Sequence, residues 1–263
     1  MSAWQLQRIA PFLALFFALL LMPPAGLAGS SGAENIRLTV IGDSLADGIW
    51  AGLYRNLRSV KHIKVRRASK VSSGLAAYDW HSEAERLLED GTDIIVVMLG
   101  TNDGQAIRRD GQTRVAYRAN GWRDVYADKV EELLTLFEDR QVFTVWLGLP
   151  VMRKDSMREQ AERLNAIFAE VLDGRGADVN FLPTWDLTTD DNGEYFAYAD
   201  LDNSGRTRQF RAKDGVHFTM MGYQYLARHV QEVIEHQYLA RRNADAQAES
   251  APVGDMDPFS AQN

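Results

Sequence analysis

Ser44 stands where a serine can become a nucleophile. The apolar, β-branched run from Ile36 to Ile41 stops at Gly42, Asp43 and Ser44 follow, and a helical pattern begins directly after them. A strand that ends in a glycine turn and feeds a helix holds a side chain out at the carboxyl end of a sheet, where open α/β sheets place their ligands. The competing reading is a turn serine that caps the next helix. A serine hydroxyl is too weak a nucleophile alone; it needs a base, and the base needs a group to orient it. Of the five histidines, His229 and His236 fall within the last helical pattern, His62 opens a strand and His81 opens a helix. His217 lies in Asp214-Gly215-Val216-His217-Phe218-Thr219, a loop just before that last helix. In a loop, Asp214 can fold back onto the His217 Nδ1 and leave Nε2 free to take a serine proton. The order Ser, Asp, His is also that of the α/β hydrolases. A plain Asp-Gly turn is the alternative.

Acyl transfer also needs donors aimed at an oxyanion, each contributing roughly 2.7–4 kcal/mol to transition-state stabilisation. Two glycine-bearing turns fall at strand ends, where such donors belong. Ser72-Ser73-Gly74-Leu75 offers the Gly74 backbone N–H, and Gly100-Thr101-Asn102-Asp103 offers the Asn102 side-chain amide. The Ser44 backbone N–H is a third. Asn102 reads alternatively as a loop residue or helix cap, and Asp43 and Asp103 read as local turn and cap residues without a chemical part. No metal or nucleotide cofactor is expected. Asp200 to Gly205 begins like a calcium loop, but its twelfth position is Arg211 where a bidentate glutamate is required.

Taken together, Gly42-Asp43-Ser44-Leu45, Gly74, Gly100-Thr101-Asn102-Asp103 and Asp214-Gly215-Val216-His217 resemble the SGNH hydrolases, or GDSL esterases, in order and at compatible spacings over nearly the whole folded region. The resemblance implies a flavodoxin-like α/β/α fold. It implies Ser44 as nucleophile and first oxyanion donor, Gly74 and Asn102 as the other donors, His217 as base and Asp214 as its partner. The stretches Lys70 to Gly74 and Gly148-Leu149-Pro150-Val151-Met152-Arg153 further resemble a bacterial exported subgroup known only as a domain of unknown function, which implies a Gram-negative periplasm.

The elements that must position these residues alternate. Strands are expected at Ile36–Ile41, His62–Ala68, Thr92–Leu99, Val142–Leu147 and Val179–Leu182. Helices are expected at Ala46–Arg58, Ser82–Glu89, Trp122–Asp139, Asp155–Leu172 and Gly222–Arg241. The continuous apolar run Thr92–Leu99 suits a central parallel strand covered on both faces. This alternation implies a three-layer α/β/α sandwich around a five-stranded parallel sheet. Residues 190–213 interrupt it. Turn signals at Asn192-Gly193 and Asn203-Ser204-Gly205 flank Tyr195–Tyr198 and Thr207–Phe210, which read as hairpin strands.

Residues 1–28 read as a signal peptide: Arg8, then an apolar core from Pro11 to Met22, then small residues before Gly29. An uncleaved anchor is the alternative, and it is the case in which membrane contact is expected. Either reading places the domain, residues 34–242, in the periplasm or outside the cell. Residues 243–263 read as a disordered tail. The chain holds no cysteine, which excludes disulfides and thiolate chemistry, and its formal charge of −7 argues against a nucleic-acid partner. The expected partner is an acylated carbohydrate or small ester, the aromatics Tyr195, Phe196, Tyr198 and Phe210 of the insertion offering faces for a sugar ring. An O-acyltransferase moving acetyl or succinyl groups onto a glycan, a lipolytic enzyme or thioesterase, and a catalytically silent glycan-binding module are the alternatives.

Overall fold

The computed structural model describes residues 35–201 and 204–250, with side chains to residue 245. The expected signal segment and the end of the expected tail, residues 251–263, lie outside the described residues. In chain order the elements are β1 (Ile36–Gly42), α1 (Ser44–Leu57), β2 (Ile63–Ser69), α2 (Trp80–Glu89), β3 (Ile94–Met98), β4 (Ile107–Arg109), β5 (Thr113–Val115) and α3 (Trp122–Asp139). There follow β6 (Phe143–Leu147), α4 (Asp155–Leu172), β7 (Val179–Leu182), β8 (Tyr198–Ala199), β9 (Arg208–Gln209), α5 (Met220–Val233), a π-helical turn (Ile234–Leu239) and α6 (Ala240–Ser250).

Five strands form one sheet in the order β2-β1-β3-β6-β7, every neighbouring pair parallel. Its centre is β3 and β6, whose residues are all buried, as Ile94-Ile95-Val96-Val97-Met98 and Phe143-Thr144-Val145-Trp146-Leu147 require when helices cover both faces. The edges β2 and β7 are half-buried. This is the three-layer α/β/α sandwich around a five-stranded parallel sheet that the sequence predicts. Because all five strands run the same way, the turns after β1, β2 and β3 gather at one end of the sheet. Helix α5 packs along α1, with the Tyr223 ring lying over Gly48, and so brings the loop that precedes α5 to the start of α1.

Several details differ from the pattern in the sequence. A second antiparallel hairpin, β4–β5, turns at Asp110 and Gly111, with φ of 51° and 70°. The Asp110-Gly111 pair was its signal. The hairpin of the 190–213 insertion forms, and among the described residues its ladder is Tyr198–Gln209 and Ala199–Arg208. Its aromatics pack inward: Phe210 is fully buried, stacked on Phe196, and the Tyr195 ring lies against the Arg211 guanidinium. Only Tyr198 of the four is open to solvent. An aromatic that fills the space between a flap and the core is not free to stack on sugar. The last helix continues through the π-turn to Ser250, so the first part of the expected disordered tail is helical.

Candidate active site

The turn after β1 is built around two constraints. Gly42 has φ of 133°, and a Cβ there would lie 2.0 Å from the Met98 carbonyl oxygen, so only glycine fits between β1 and β3. Asp43 follows, fully buried, and caps α1 by accepting the Leu45 N–H at 2.9 Å. Ser44 is therefore the first residue of α1, not its cap, and the alternative reading of Ser44 as a capping serine falls away.

Ser44 meets the loop before α5. The Ser44 Oγ and His217 Nε2 are 2.7 Å apart, and His217 Nδ1 and Asp214 Oδ2 are 2.7 Å apart. The other Asp214 oxygen accepts the backbone N–H groups of Val216 at 2.8 Å and His217 at 3.0 Å. Burial pushes the Asp214 carboxyl up, but those N–H groups and the His217 ring outweigh it and hold it down at about 2. It is thus an anion at neutral pH. An anionic acceptor favours the tautomer with its proton on Nδ1, which leaves Nε2 as an acceptor facing Ser44.

The Asn102 Nδ2 donates to the Ser73 carbonyl at 2.8 Å, across the peptide whose N–H belongs to Gly74. This bond joins the two loops expected to carry oxyanion donors and leaves the second Asn102 amide hydrogen available. It also polarises the peptide and so strengthens the Gly74 donor. Among the described residues neither the Ser44 nor the Gly74 N–H has an acceptor. All five residues expected at the site, Ser44, Gly74, Asn102, Asp214 and His217, lie in the turns at the carboxyl end of the sheet or in the loop that α5 delivers there.

Asp43 and Asp103 do more than cap locally. Besides Leu45, Asp43 accepts the Thr101 N–H at 3.0 Å and the Thr101 hydroxyl, tying the turn after β1 to the turn after β3. Asp103, also fully buried, reaches under the Gly74 loop and accepts Leu75 N–H at 3.1 Å, Ala76 N–H at 2.8 Å and the Tyr126 hydroxyl at 2.9 Å. A Cβ on Gly74 would lie 2.1 Å from the Asp103 Oδ1, so the carboxylate and the glycine require one another. Burial pushes the Asp103 carboxyl up to about 6, against its three hydrogen bonds, with Asp43 adding to the rise. Burial likewise raises Asp43.

Arg211 is a further support that residue types alone did not reveal. It is fully buried and, among the described residues, has no carboxylate partner. Its guanidinium donates to Val151 O at 2.8 Å, Val216 O at 2.9 Å and, more weakly, His217 O at 3.4 Å, with the Phe218 ring centroid 4.1 Å away. Burial lowers its pKa to about 10, which leaves it charged at neutral pH. It thereby clamps the His217 loop to the Gly148–Arg153 segment.

A serine–histidine–carboxylate chain at the carboxyl end of a parallel sheet accompanies a fold that is that of the SGNH, or GDSL, esterases. The chain belongs to the family described as protein of unknown function (DUF459), whose model matches residues 37–233. Solved structures share the fold. An acetyl xylan esterase, AlAXEase, superposes with a TM-score of 0.53 at 13% identity over 76% of this chain and 100% of the other. A variant of Axe2, an acetyl-xylooligosaccharide esterase from Geobacillus Stearmophilus, gives 0.55 at 15% over 76% and 94%. The psychrotrophic esterase EstA from Pseudoalteromonas sp. gives 0.50 at 12% over 80% and 100%. No curated protein matches the chain.

Proposed function

We propose that this protein is a periplasmic serine esterase that cleaves O-acyl esters through an acyl-serine intermediate. The observation that carries the reading is the continuous chain Asp214–His217–Ser44, with both links at 2.7 Å. In the first half-reaction His217 Nε2 takes the Ser44 proton as Oγ attacks the ester carbonyl. The oxyanion that forms is stabilised by the N–H groups of Ser44 and Gly74 and by the Asn102 amide. The imidazolium, held in place and stabilised by Asp214, then gives its proton to the departing alcohol. In the second, His217 activates water against the acyl-enzyme, and Ser44 leaves with the proton. No step calls on a metal or a nucleotide.

The proposed substrate is an acylated envelope carbohydrate. The periplasmic placement rests on the Arg8 and Pro11–Met22 pattern. The carbohydrate rests on the similarity in fold to esterases named for acetylated xylan and xylooligosaccharide.

The test is to give the mature protein an acetyl donor with and without envelope glycan. Hydrolysis of the donor at a rate the glycan does not change supports the esterase. Acyl groups that appear on the glycan faster than the donor is hydrolysed would make the protein a transferase using the same three residues.

A further inference from the structure

The edge of the sheet nearest Ser44 carries charge opposite to that of the molecule. A cleft of about 410 Å³ runs beside β2, lined by Arg66, Arg67, Lys70 and Arg86 with Tyr78 and Trp80. Glu83 and Asp90 share its wall and Asp47 pairs with Arg67, so three carboxylates face these four cations and the cleft keeps a net positive charge in a chain whose formal charge is −7. Arg66 and Arg86 are engaged: Arg66 donates to Leu87 O and Thr92 and pairs with Asp90, and Arg86 pairs with Glu83 and Asp90. The other two keep donors for a ligand, although Arg67 is itself ion-paired with Asp47. Arg67 uses its Nε on Asp47 and Ser69, which leaves both Nη groups available. Lys70 has no carboxylate partner among the described residues, and its ammonium lies 4.4 Å from the Tyr78 ring centroid.

These two cations sit at the corner that holds the nucleophile. The Lys70 N–H donates to the Gly42 carbonyl at 2.8 Å, two residues before Ser44. Asp47, on which Arg67 and Ser69 converge at 2.5 and 2.6 Å, is one turn after Ser44 on α1. The Lys70 carbonyl in turn accepts the Ser73 N–H at 3.2 Å and hydroxyl at 2.6 Å, which anchors the loop that presents Gly74. That loop carries Ser72 at φ 64° and leaves Val71 56% exposed at its tip.

We propose that the β2-edge cleft is a subsite for an acidic, carboxylate-bearing glycan, engaged by Lys70 and the Arg67 Nη groups, with its acylated residue delivered to Ser44. This deepens the esterase reading and rests on it. An anionic chain is drawn to a net positive cleft in a molecule of net negative charge; a second basic patch, Arg58, Lys61 and Lys64, lies at the opposite end of β2 from Lys70. Nucleic acid would need a far more extended basic face.

The test uses the full chain carrying Ser44→Ala, so that binding is read without turnover. Oligogalacturonate and a neutral cello-oligosaccharide of equal length are titrated at low and moderate salt. The proposal expects the charged ligand to bind about tenfold tighter at low salt, the scale of two partly exposed ion pairs. It expects that preference to shrink as salt rises, to vanish in Lys70→Gln and Arg67→Gln, and to persist in Lys70→Arg. Equal affinity for the two ligands, or a preference that survives both glutamine variants, overturns it. Thermal melts of each variant separate loss of binding from loss of fold. The esterase reading fails by a different sign: a wild-type Ser44 that a fluorophosphonate does not label.

Discussion

Asp214 divides its work between its two oxygens. Oδ1 takes two backbone N–H groups of its own turn, and Oδ2 faces the His217 ring. In Asp214→Asn the amide oxygen can keep both backbone bonds, which places the amide nitrogen against Nδ1. A donor there forces the tautomer with its proton on Nε2, which cannot accept the Ser44 proton. The expected result is a kcat lower by about a hundredfold to ten-thousandfold, with a thermal midpoint close to wild type. Full turnover in that variant would remove Asp214 from the mechanism. Asp103 makes a prediction of opposite kind. Its folded pKa of about 6 lies above the ordinary carboxylate value, so the folded state binds the proton more tightly than the unfolded chain. The cost of burying this anion is present above pH 6 and is relieved as pH falls from about 6 toward 4. Denaturant titrations should show wild-type stability rising over that window relative to Asp103→Asn; parallel profiles would show that Asp103 does not titrate there. The block Gly100-Thr101-Asn102-Asp103 displayed both Asn102 and Asp103 in the sequence, but only the fold reveals that Asp103 reaches under a loop 28 residues away.

Arg211 shows how one element disciplines another. It follows the β9 strand of the hairpin, pairs across from Phe218, and donates to Val216 O in the His217 turn and to Val151 O in the Gly148–Arg153 segment. Arg211→Met leaves those buried carbonyls without donors, at about 1–3 kcal/mol each. If Arg211 positions His217, kcat falls with KM little changed, and Arg211→Lys restores part of kcat. A loss of stability with an unchanged kcat would limit Arg211 to a structural part. The five parallel strands and the long helices were legible because periodicity and continuous apolar runs report burial directly: Thr92–Leu99 contains the fully buried β3. The shorter pieces were less so. β4 and β5 have three residues each, too few to show alternation, and only their Asp110-Gly111 turn marked them. The aromatics of the 190–213 segment were visible as residues, but whether such rings face solvent or core depends on which surface the flap covers. Phe210 and Phe196 close against each other and against α5 through Phe210–Tyr225. Arg211 carried no sequence signal at all, since a buried arginine held by carbonyls looks like any other charged residue in a turn.

At the scale of the molecule, the sheet places three turns in one row and α1–α5 packing adds the fourth loop. Ser44, Gly74, Asn102 and the Asp214–His217 pair are separated by as much as 173 residues in the chain, yet Ser44 and His217 touch. Their order and spacing were readable because each sits in a turn marked by glycine. The charge around them was not, since a sum of −7 conceals the basic edge beside β2. The central claim is that Ser44 is a nucleophile activated by His217, and intact-mass analysis after exposure to a fluorophosphonate tests it most directly. The account predicts a single covalent adduct, mapped to Ser44 by peptide digestion, absent in Ser44→Ala and slowed by at least about a hundredfold in His217→Ala. A wild-type protein that stays unlabelled, or an adduct that persists in Ser44→Ala, would contradict it.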